Sequence, residues 1–217
     1  MSTALRTRNG TLPNPRHIGA FADDSSRRRT IVLLGIDGAG KTTAAESLVK
    51  VLKLSGTPAQ LLRNPAGRRW LSRVAERFGT SLSPSWANRI ESVVRCVNVL
   101  RAHLKATTFH GTTVMDRHIA CQLVLQSVRG LPRGHVLPWL IARLPRPEAI
   151  VLLDLPAELA QARIILRGED SETLLYLESA REAYLRIAQD KGWHIIDGSA
   201  DPEQVLSNIA RVVSRAS

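Results

Sequence analysis

A glycine-rich segment directly after an apolar run most strongly constrains what this chain can fold into. Residues 30–34 form a continuous, mostly apolar run, which is typical of a strand buried on both faces. Residues 35–42 follow with the spacing G-x-x-x-x-G-K-[ST], and a helical apolar pattern then runs through Leu48 and Leu52. A strand, a glycine-rich turn and a helix in this order predict an α/β fold in which the turn binds phosphate groups.

The residue types in this segment suit a nucleoside triphosphate. Glycines let the backbone curl so that successive N–H groups point inward, and the following helix directs its positive end to the same place. The Lys41 ammonium can reach the β- and γ-phosphates, and the Thr42 hydroxyl can ligate Mg²⁺. We therefore expect ATP and Mg²⁺ as cofactors, held by this set: Gly35, Asp37, Gly38, Ala39, Gly40, Lys41, Thr42 and Thr43.

Apolar runs alternate with helical patterns along the rest of the chain. Together with the glycine-rich turn, this alternation predicts an α/β P-loop NTPase fold, a five-stranded parallel sheet with helices on both faces. The expected strands cover residues 30–34, 59–62, 112–116, 149–153 and 193–196. The 217 residues suit one domain, so we assign 1–29 to a flexible basic tail and 30–217 to a single P-loop domain.

The chain is strongly basic, with a formal net charge of +11. Of its 30 Lys and Arg residues only five are Lys, and the planar guanidinium of Arg grips phosphate oxygens in pairs. This bias suits a polyanionic small substrate as well as DNA. Aromatic residues make up only 4% of the chain, so few are available to stack bases, and a nucleic-acid partner is not favoured.

Nothing in the sequence indicates export or a membrane. No apolar run approaches the roughly 20 residues needed to cross a bilayer, and the first residues lack the apolar core of a secretory signal. The two cysteines, Cys96 and Cys121, lie in apolar patterns without CxxC spacing, as free thiols in a reducing compartment would. We expect a cytoplasmic protein.

The guanine-binding motif N-K-x-D of GTPases is missing from the sequence, and further motifs resemble those of thymidylate kinases. The segment 33–43 is similar to that family's G-[ILV]-[DE]-G-x-G-K-[ST]-T, and Asp116-Arg117-His118 resembles its D-R-[YH]. Residues 153–158 resemble its L-D-[LV]-x-x-E, and residues 162–169 resemble its basic lid. The resemblance thus implies that 30–217 is a P-loop kinase domain with a short basic lid near 163–173. The likeness extends over about residues 30–213.

The resemblance implies roles for individual residues. Asp37 would contact the 3′-hydroxyl of a bound deoxynucleotide, Asp116 would hold Mg²⁺, and Arg117 would clamp the acceptor phosphate. Because Gly38 stands where one branch of the family has an Arg, the catalytic cations would come from the lid, through Arg163 and Arg167. Two arginines four residues apart on a helix share a face, although both can also be solvated surface residues. Thymidylate kinases are commonly dimers, so the resemblance also implies a homodimer.

The resemblance is weakest where the base is recognised. Residues 63–69 replace the family's E-P-G-G-T, and the lid is shortened between Asp170 and Leu174. The family's F-x-A-x-R can be placed in two registers, which leaves open whether Arg89 or Arg95 faces the acceptor. The candidate acceptor-binding set is Asp37, Arg73, Arg89, Arg95, Arg117 and Gln122.

Three functions remain open at this point. The first is ATP-dependent phosphorylation of a nucleoside monophosphate, with dTMP converted to dTDP. The second is a thymidylate-kinase-like enzyme acting on another nucleotide, a nucleoside or a small metabolite. A hydroxyl acceptor would need a carboxylate base near the end of the second strand, and that position holds Arg63-Asn64, so a phosphate acceptor is favoured. The third is a non-catalytic nucleotide- or nucleic-acid-binding protein.

Overall fold

A parallel five-stranded sheet forms the centre of the protein. The computed structural model describes residues 28–63, 97–128, 130, 136–168 and 172–215. The strands are β1 (Arg29–Leu34), β2 (Ala59–Arg63), β3 (Thr112–Asp116), β4 (Ala149–Asp154) and β5 (His194–Asp197). Their order is β2-β3-β1-β4-β5, and every neighbouring pair is parallel. The α/β fold with a five-stranded parallel sheet is therefore confirmed.

Helices connect these strands. They are α1 (Lys41–Leu54), α2 (97–108), α3 (Ala120–Val128), α4 (Val136–Arg143), α5 (Ala157–Leu166), α6 (Leu174–Lys191) and α7 (Pro202–Arg215). Helices α1 and α7 contact each other and the sheet, whereas α6 contacts β4 and β5 and packs against α3 and α5. All five residues of β3 are buried, and neighbouring side chains of a strand point to opposite faces, so both faces of the sheet are covered there.

The first strand begins one residue before the predicted position. The Arg29 backbone N–H donates to Gly111 O at 3.0 Å, and Arg29 is in register with Thr112. The Arg28 guanidinium donates to Thr107 O at 2.5 Å. Arg28 and Arg29 thus belong to the folded domain, and residues 1–27 of the predicted tail lie outside the described part of the chain.

The last strand is shifted by one residue from its predicted range, 193–196. The Trp193 N–H donates to Ala188 O at 2.9 Å, which is a bond of the C-terminal cap of α6. Gly192, with φ of 65°, supplies the left-handed residue that such a cap requires. The strand therefore starts at His194, which is in register with Val151.

Two further predictions concern the surface. No helix in the described ranges is long and apolar enough to cross a bilayer. The homodimer stays a prediction, and the exposed side chains of Val97, Leu100 and Leu104 form an apolar stripe on α2 where a second copy could pack.

Candidate active site

The sequence-predicted phosphate-binding residues lie at the carboxyl edge of the sheet. In a parallel sheet all strands end at the same edge, and ligands of open α/β sheets bind in the crevice outside it. Residues 35–40 join β1, the central strand, to the first turn of α1. This loop therefore lies where the ends of β3 and β4 meet it from either side.

Two glycines of this loop are in places where a side chain would collide with backbone. A Cβ on Gly35 would lie 2.6 Å from Leu153 O, and a Cβ on Gly38 would lie 2.5 Å from Ala160 O of α5. Gly40 also has a positive φ, 86°, but a Cβ there would meet nothing within 4 Å. The loop is thus packed closely against β4 and α5, with open space beside the last glycine.

Lys41 lies across the loop and is almost fully buried. Its ammonium Nζ donates to Ile36 O at 2.7 Å and is 3.5 Å from Asp37 Oδ1. Burial lowers the pKa of Lys41 and the nearby Arg117 charge lowers it further, against the opposing effect of Asp37 and Asp116. Because few oxygen atoms of the described residues surround this buried ammonium group, it is suited to bind an anionic group in the loop.

Asp116 ends β3 and faces α1. The Thr42 hydroxyl donates to Asp116 Oδ2 at 2.6 Å. The other oxygen, Oδ1, is buried, and none of the described residues gives it a hydrogen bond. A buried carboxylate oxygen without a partner is costly unless a cation or water satisfies it. The pair of Thr42 and Asp116 therefore fits Mg²⁺, which is commonly held by one or two protein oxygens together with substrate phosphates.

A larger metal-binding cluster is not seen in the described segments. No group of three or more His, Cys, Asp and Glu side chains there is arranged to hold a metal ion. The geometry thus supports a phosphate-associated cation and gives no support for a resident metal centre within those segments.

Arg117 directly follows β3 and pairs with the loop. Its Nη2 donates to Asp37 Oδ1 at 2.5 Å. Burial opposes the charge of Asp37, but the positive charges and hydrogen bonds of Lys41 and Arg117 outweigh it and lower the pKa of Asp37. Burial likewise acts against the charged form of Arg117, but the Asp37 carboxylate raises its pKa. Both groups are therefore ionised at neutral pH.

The backbone of Arg117 is unusual. Its φ is +78°, the one positive φ at a non-glycine position in the described residues. This conformation costs about 1–3 kcal/mol and is found most often at functional sites. It turns the chain sharply from β3 towards α3 and places the guanidinium beside the loop.

The first turn of α3 supplies further groups near Arg117. Gln122 is buried in this turn. Tyr184 of α6 is also buried, and its burial, followed by the neighbouring Cys121, raises the pKa of its hydroxyl. The charges of Arg117 and Asp37 also act on this hydroxyl, Arg117 lowering its pKa and Asp37 raising it.

Arg163 lies in the last turn of α5 and Arg167 directly follows this helix, while their role in a lid stays a prediction. Arg163 Nη1 donates to Gly198 O at 3.3 Å, and a Cβ on Gly198 would lie 3.4 Å from Ala39 O. Arg163 thus lies near the loop, on its β4–β5 side. Arg167 is exposed and donates from Nε to Arg163 O at 3.2 Å, and residues 169–171 are outside the described ranges.

Asp154, which ends β4, has a structural partner. Arg181 of α6 donates to both of its carboxylate oxygens, at 2.6 Å and 2.8 Å. The following helix, α5, has Pro156 at its N-cap and no side-chain cap bond, so Asp154 does not cap it. Sequence analysis did not identify Arg181, although an arginine between the buried Ala180 and Tyr184 on the inner face of α6 was a usable signal.

Three sequence-predicted residues cannot be placed. Arg73, Arg89 and Arg95 lie within 64–96, outside the described part of the chain, so the two registers of the acceptor motif stay open.

Comparisons with known proteins agree with this geometry. The family model described as thymidylate kinase matches residues 34–209. The chain is 34% identical over 201 residues to a thymidylate kinase of Xanthomonas campestris pv. campestris (strain B100), covering 86% of this chain and 83% of that protein. It is 30% identical over 194 residues to a probable thymidylate kinase of Pyrobaculum aerophilum, covering 85% of this chain and 96% of that protein. This chain is a phosphotransferase that belongs to the thymidylate kinase family.

Proposed function

We propose that this enzyme transfers the γ-phosphoryl group of ATP to the phosphate of a nucleoside monophosphate, with dTMP as the preferred acceptor. One observation carries the proposal: Lys41, the Thr42–Asp116 pair and the Asp37–Arg117 pair converge on one glycine-rich loop. The names of the relatives, thymidylate kinase and probable thymidylate kinase, support dTMP as the acceptor.

The donor side is formed by the loop and α1. The backbone N–H groups of residues 38–42 and the positive end of α1 would bind the β-phosphate, and the Lys41 ammonium would bridge the β- and γ-phosphates. Thr42 and Asp116 would hold Mg²⁺, which neutralises charge on the phosphate oxygens. Asp116 Oδ1, which receives no hydrogen bond from the described residues, supports this assignment because a cation there would satisfy it.

The acceptor side is formed by the residues after β3. Arg117 can grip an acceptor phosphate bidentately, and its ion pair with Asp37 holds it against the loop. Asp37 and Gln122 would then contact the sugar and base of the acceptor. An acceptor phosphate is already ionised at neutral pH, so the transfer needs no general base.

The transferring group needs further positive charge as it leaves ATP. Arg163 is the better placed lid cation, because its link to Gly198 brings it beside Ala39 of the loop. Arg167 lies one turn further along and would complete the pair when the lid closes. Such cations stabilise the charge on the transferring phosphoryl oxygens and are worth on the order of 10³–10⁵ in rate.

An acceptor panel tests the proposal. The purified enzyme would be incubated with Mg-ATP and, separately, dTMP, dUMP, dCMP, dAMP, dGMP, thymidine and UMP, and ADP release would be measured. We expect turnover with dTMP to exceed turnover with every other acceptor. If only a nucleoside or another monophosphate supported ADP release, that compound and not dTMP would be the substrate. Salt-sensitive DNA binding without acceptor-dependent ADP release would instead favour a non-catalytic nucleic-acid-binding protein.

A further inference from the structure

An arginine at the end of β2 lies next to the candidate phosphate site without having been assigned to it. Arg63 is the last residue of β2 and is in register with Asp116 of β3. Neighbouring strands are about 4.8 Å apart, and residues in register point to the same face of a sheet. The Arg63 side chain therefore leaves the sheet beside that of Asp116, at the edge where the ligands of such sheets bind.

Helix α1 contacts both of these strand ends. Thr42 bonds to Asp116, and Glu46 forms an ion pair with Arg63. Thr42 and Glu46 are four residues apart and share one face of α1. The Arg63–Glu46 pair thus lies one helical turn from the Thr42–Asp116 pair, so the guanidinium is held next to the place proposed for Mg²⁺ and phosphate.

The carboxylate of Glu46 can easily be replaced by another anion as the partner of Arg63. The two side chains are 60% and 49% exposed, and exposed ion pairs contribute little net stability because water competes with each partner. A phosphate dianion offers a guanidinium two oxygens and more negative charge than a single carboxylate does. An arriving phosphate group can therefore take Arg63 from Glu46 at small cost.

The position of Arg63 in the sheet indicates which substrate it meets. The sheet order places β2 next to β3, which Arg117 directly follows, whereas Arg163 is on the other side of the loop beside β4 and β5. Arg63 is therefore on the acceptor side. We propose that the Arg63 guanidinium, like that of Arg117, binds the acceptor phosphate. In the free enzyme it forms its ion pair with Glu46 instead, until the acceptor phosphate displaces this carboxylate. This inference rests on the proposed function.

Charge-removing substitutions of the two partners should have opposite effects on acceptor binding. In Arg63→Gln we expect the Kd and KM for dTMP to rise about tenfold, as loss of a charge-assisted hydrogen bond predicts, with the KM for ATP changed less than about twofold. Glu46→Gln frees the guanidinium, so its Kd for dTMP should equal or fall below that of the wild type. Arg63→Lys keeps the charge but loses the planar fork, so its Kd should lie between those of wild type and Arg63→Gln.

A merely structural ion pair would give a different result. Arg63→Gln and Glu46→Gln would then lower the melting temperature alike, and both would leave the dTMP Kd unchanged, which would overturn the inference. Arg211→Gln, which removes an exposed charge from α7, controls for the general effect of charge and should leave the dTMP Kd unchanged.

The two proposals can fail separately. A wild-type enzyme that turns over no monophosphate would refute the proposed function, and with it this inference. A wild-type enzyme that turns over dTMP while Arg63→Gln binds dTMP normally would refute only the role of Arg63. Calorimetric titration with dTMP gives the Kd values independently of turnover.

Discussion

Lys41 is almost fully buried, yet few oxygen atoms of the described residues surround its ammonium group. It is 6% exposed, yet its Nζ is contacted by one carbonyl oxygen and by a carboxylate at 3.5 Å. Burial of a charge with so little compensation is unfavourable, and the lowered pKa of Lys41 reflects that cost. A polyphosphate in the loop would supply the missing negative charge.

Replacing this lysine should remove catalysis and leave the fold intact. In Lys41→Met we expect kcat to fall by at least about 10²–10³-fold, because a fixed positive charge beside the transferring phosphoryl group is lost. Steady-state ADP release and far-UV circular dichroism would measure the two properties. Lys50→Met, at an exposed position of the same helix, is the matched control and should keep full activity. Undiminished turnover in Lys41→Met would contradict the assignment of the loop.

His118 makes stability depend on pH. Burial, followed by the neighbouring His103, lowers the pKa of His118 from 6.5 to about 3. The two rings meet edge to face with centroids 4.9 Å apart, and the Ala120 N–H donates to His118 Nδ1 at 3.2 Å. His118 is therefore neutral in the folded protein, whereas an unfolded chain protonates it below pH 6.5.

Stability should consequently fall as the solution is acidified. The contribution of a neutral His118 is complete above pH 6.5 and is lost progressively as the pH falls from 6.5 towards 3, by up to about 1.4 kcal/mol per pH unit. We expect His118→Gln to show a flatter dependence of the melting temperature on pH between 6.5 and 4.5. His194→Gln, at an exposed position of β5, should keep the wild-type slope. Equal slopes in all three proteins would refute the buried-neutral state of His118.

At the scale of elements, the contact between the loop and α5 links the nucleotide site to the base of the lid. A side chain on Gly38 would collide with Ala160 O, which belongs to α5. The same helix carries Arg163, so any displacement of its backbone also moves the lid cation. The fit at Gly38 thereby fixes the position of the helix that carries Arg163.

Alanine substitutions at two glycines can isolate this contact. Gly38 and Gly40 both have a φ of +86°, but a Cβ would clash with backbone only at Gly38. Gly40→Ala should cost about 1 kcal/mol of unfolding free energy from the left-handed backbone alone. Gly38→Ala should cost about 1–3 kcal/mol more, because α5 must move. Urea denaturation of both variants would measure the difference. Equal losses of unfolding free energy would show that α5 moves without an energetic cost.

The elements were largely predictable from sequence, and their ends were less so. The apolar run before the glycine-rich loop and the alternation of strands with helices are local patterns, and they indicated the sheet and the loop correctly. The shift of β5 arose because Trp193 belongs to the cap of α6, a bond that depends on how the helix ends. A pattern of hydrophobicity carries no signal for such a cap.

Side-chain pairs between elements were not predictable. Asp154 and Arg181 pair although they are 27 residues apart in the sequence, and Glu46 and Arg63 pair although they are 17 residues apart. Each pair depends on which elements are neighbours in the folded protein. The family resemblance implied Asp37 and Arg117 as separate site residues, but their direct ion pair becomes visible only when β1 and β3 lie side by side.

At the scale of the whole molecule, the net charge of +11 favours anionic ligands in general. The described charges that meet at the loop are Asp37 of the loop itself, Lys41 of α1, Asp116 of β3 and Arg117 directly after β3, so a bound nucleotide would tie several elements together. Binding to the folded state alone should therefore raise the stability of the whole domain.

Ligand-dependent melting tests this coupling. A non-hydrolysable ATP analogue with Mg²⁺, at 100 times its Kd, should stabilise the protein by about 2.7 kcal/mol, and dTMP should add to this shift. Scanning calorimetry would measure both effects. A duplex DNA that gave a larger shift, abolished by moderate salt, would instead identify nucleic acid as the main ligand.

The order of the strands also has a consequence for how the chain is made. The central strand, β1, is the first to be synthesised, yet its two neighbours are β3 and β4, which end at Asp116 and Asp154. Its pairing therefore waits until residues 112–116 and 149–154 have been synthesised, and such long-range parallel pairing is intrinsically slow. Until then the apolar β1 and the loop after it have no support, so they depend on protection from aggregation during translation.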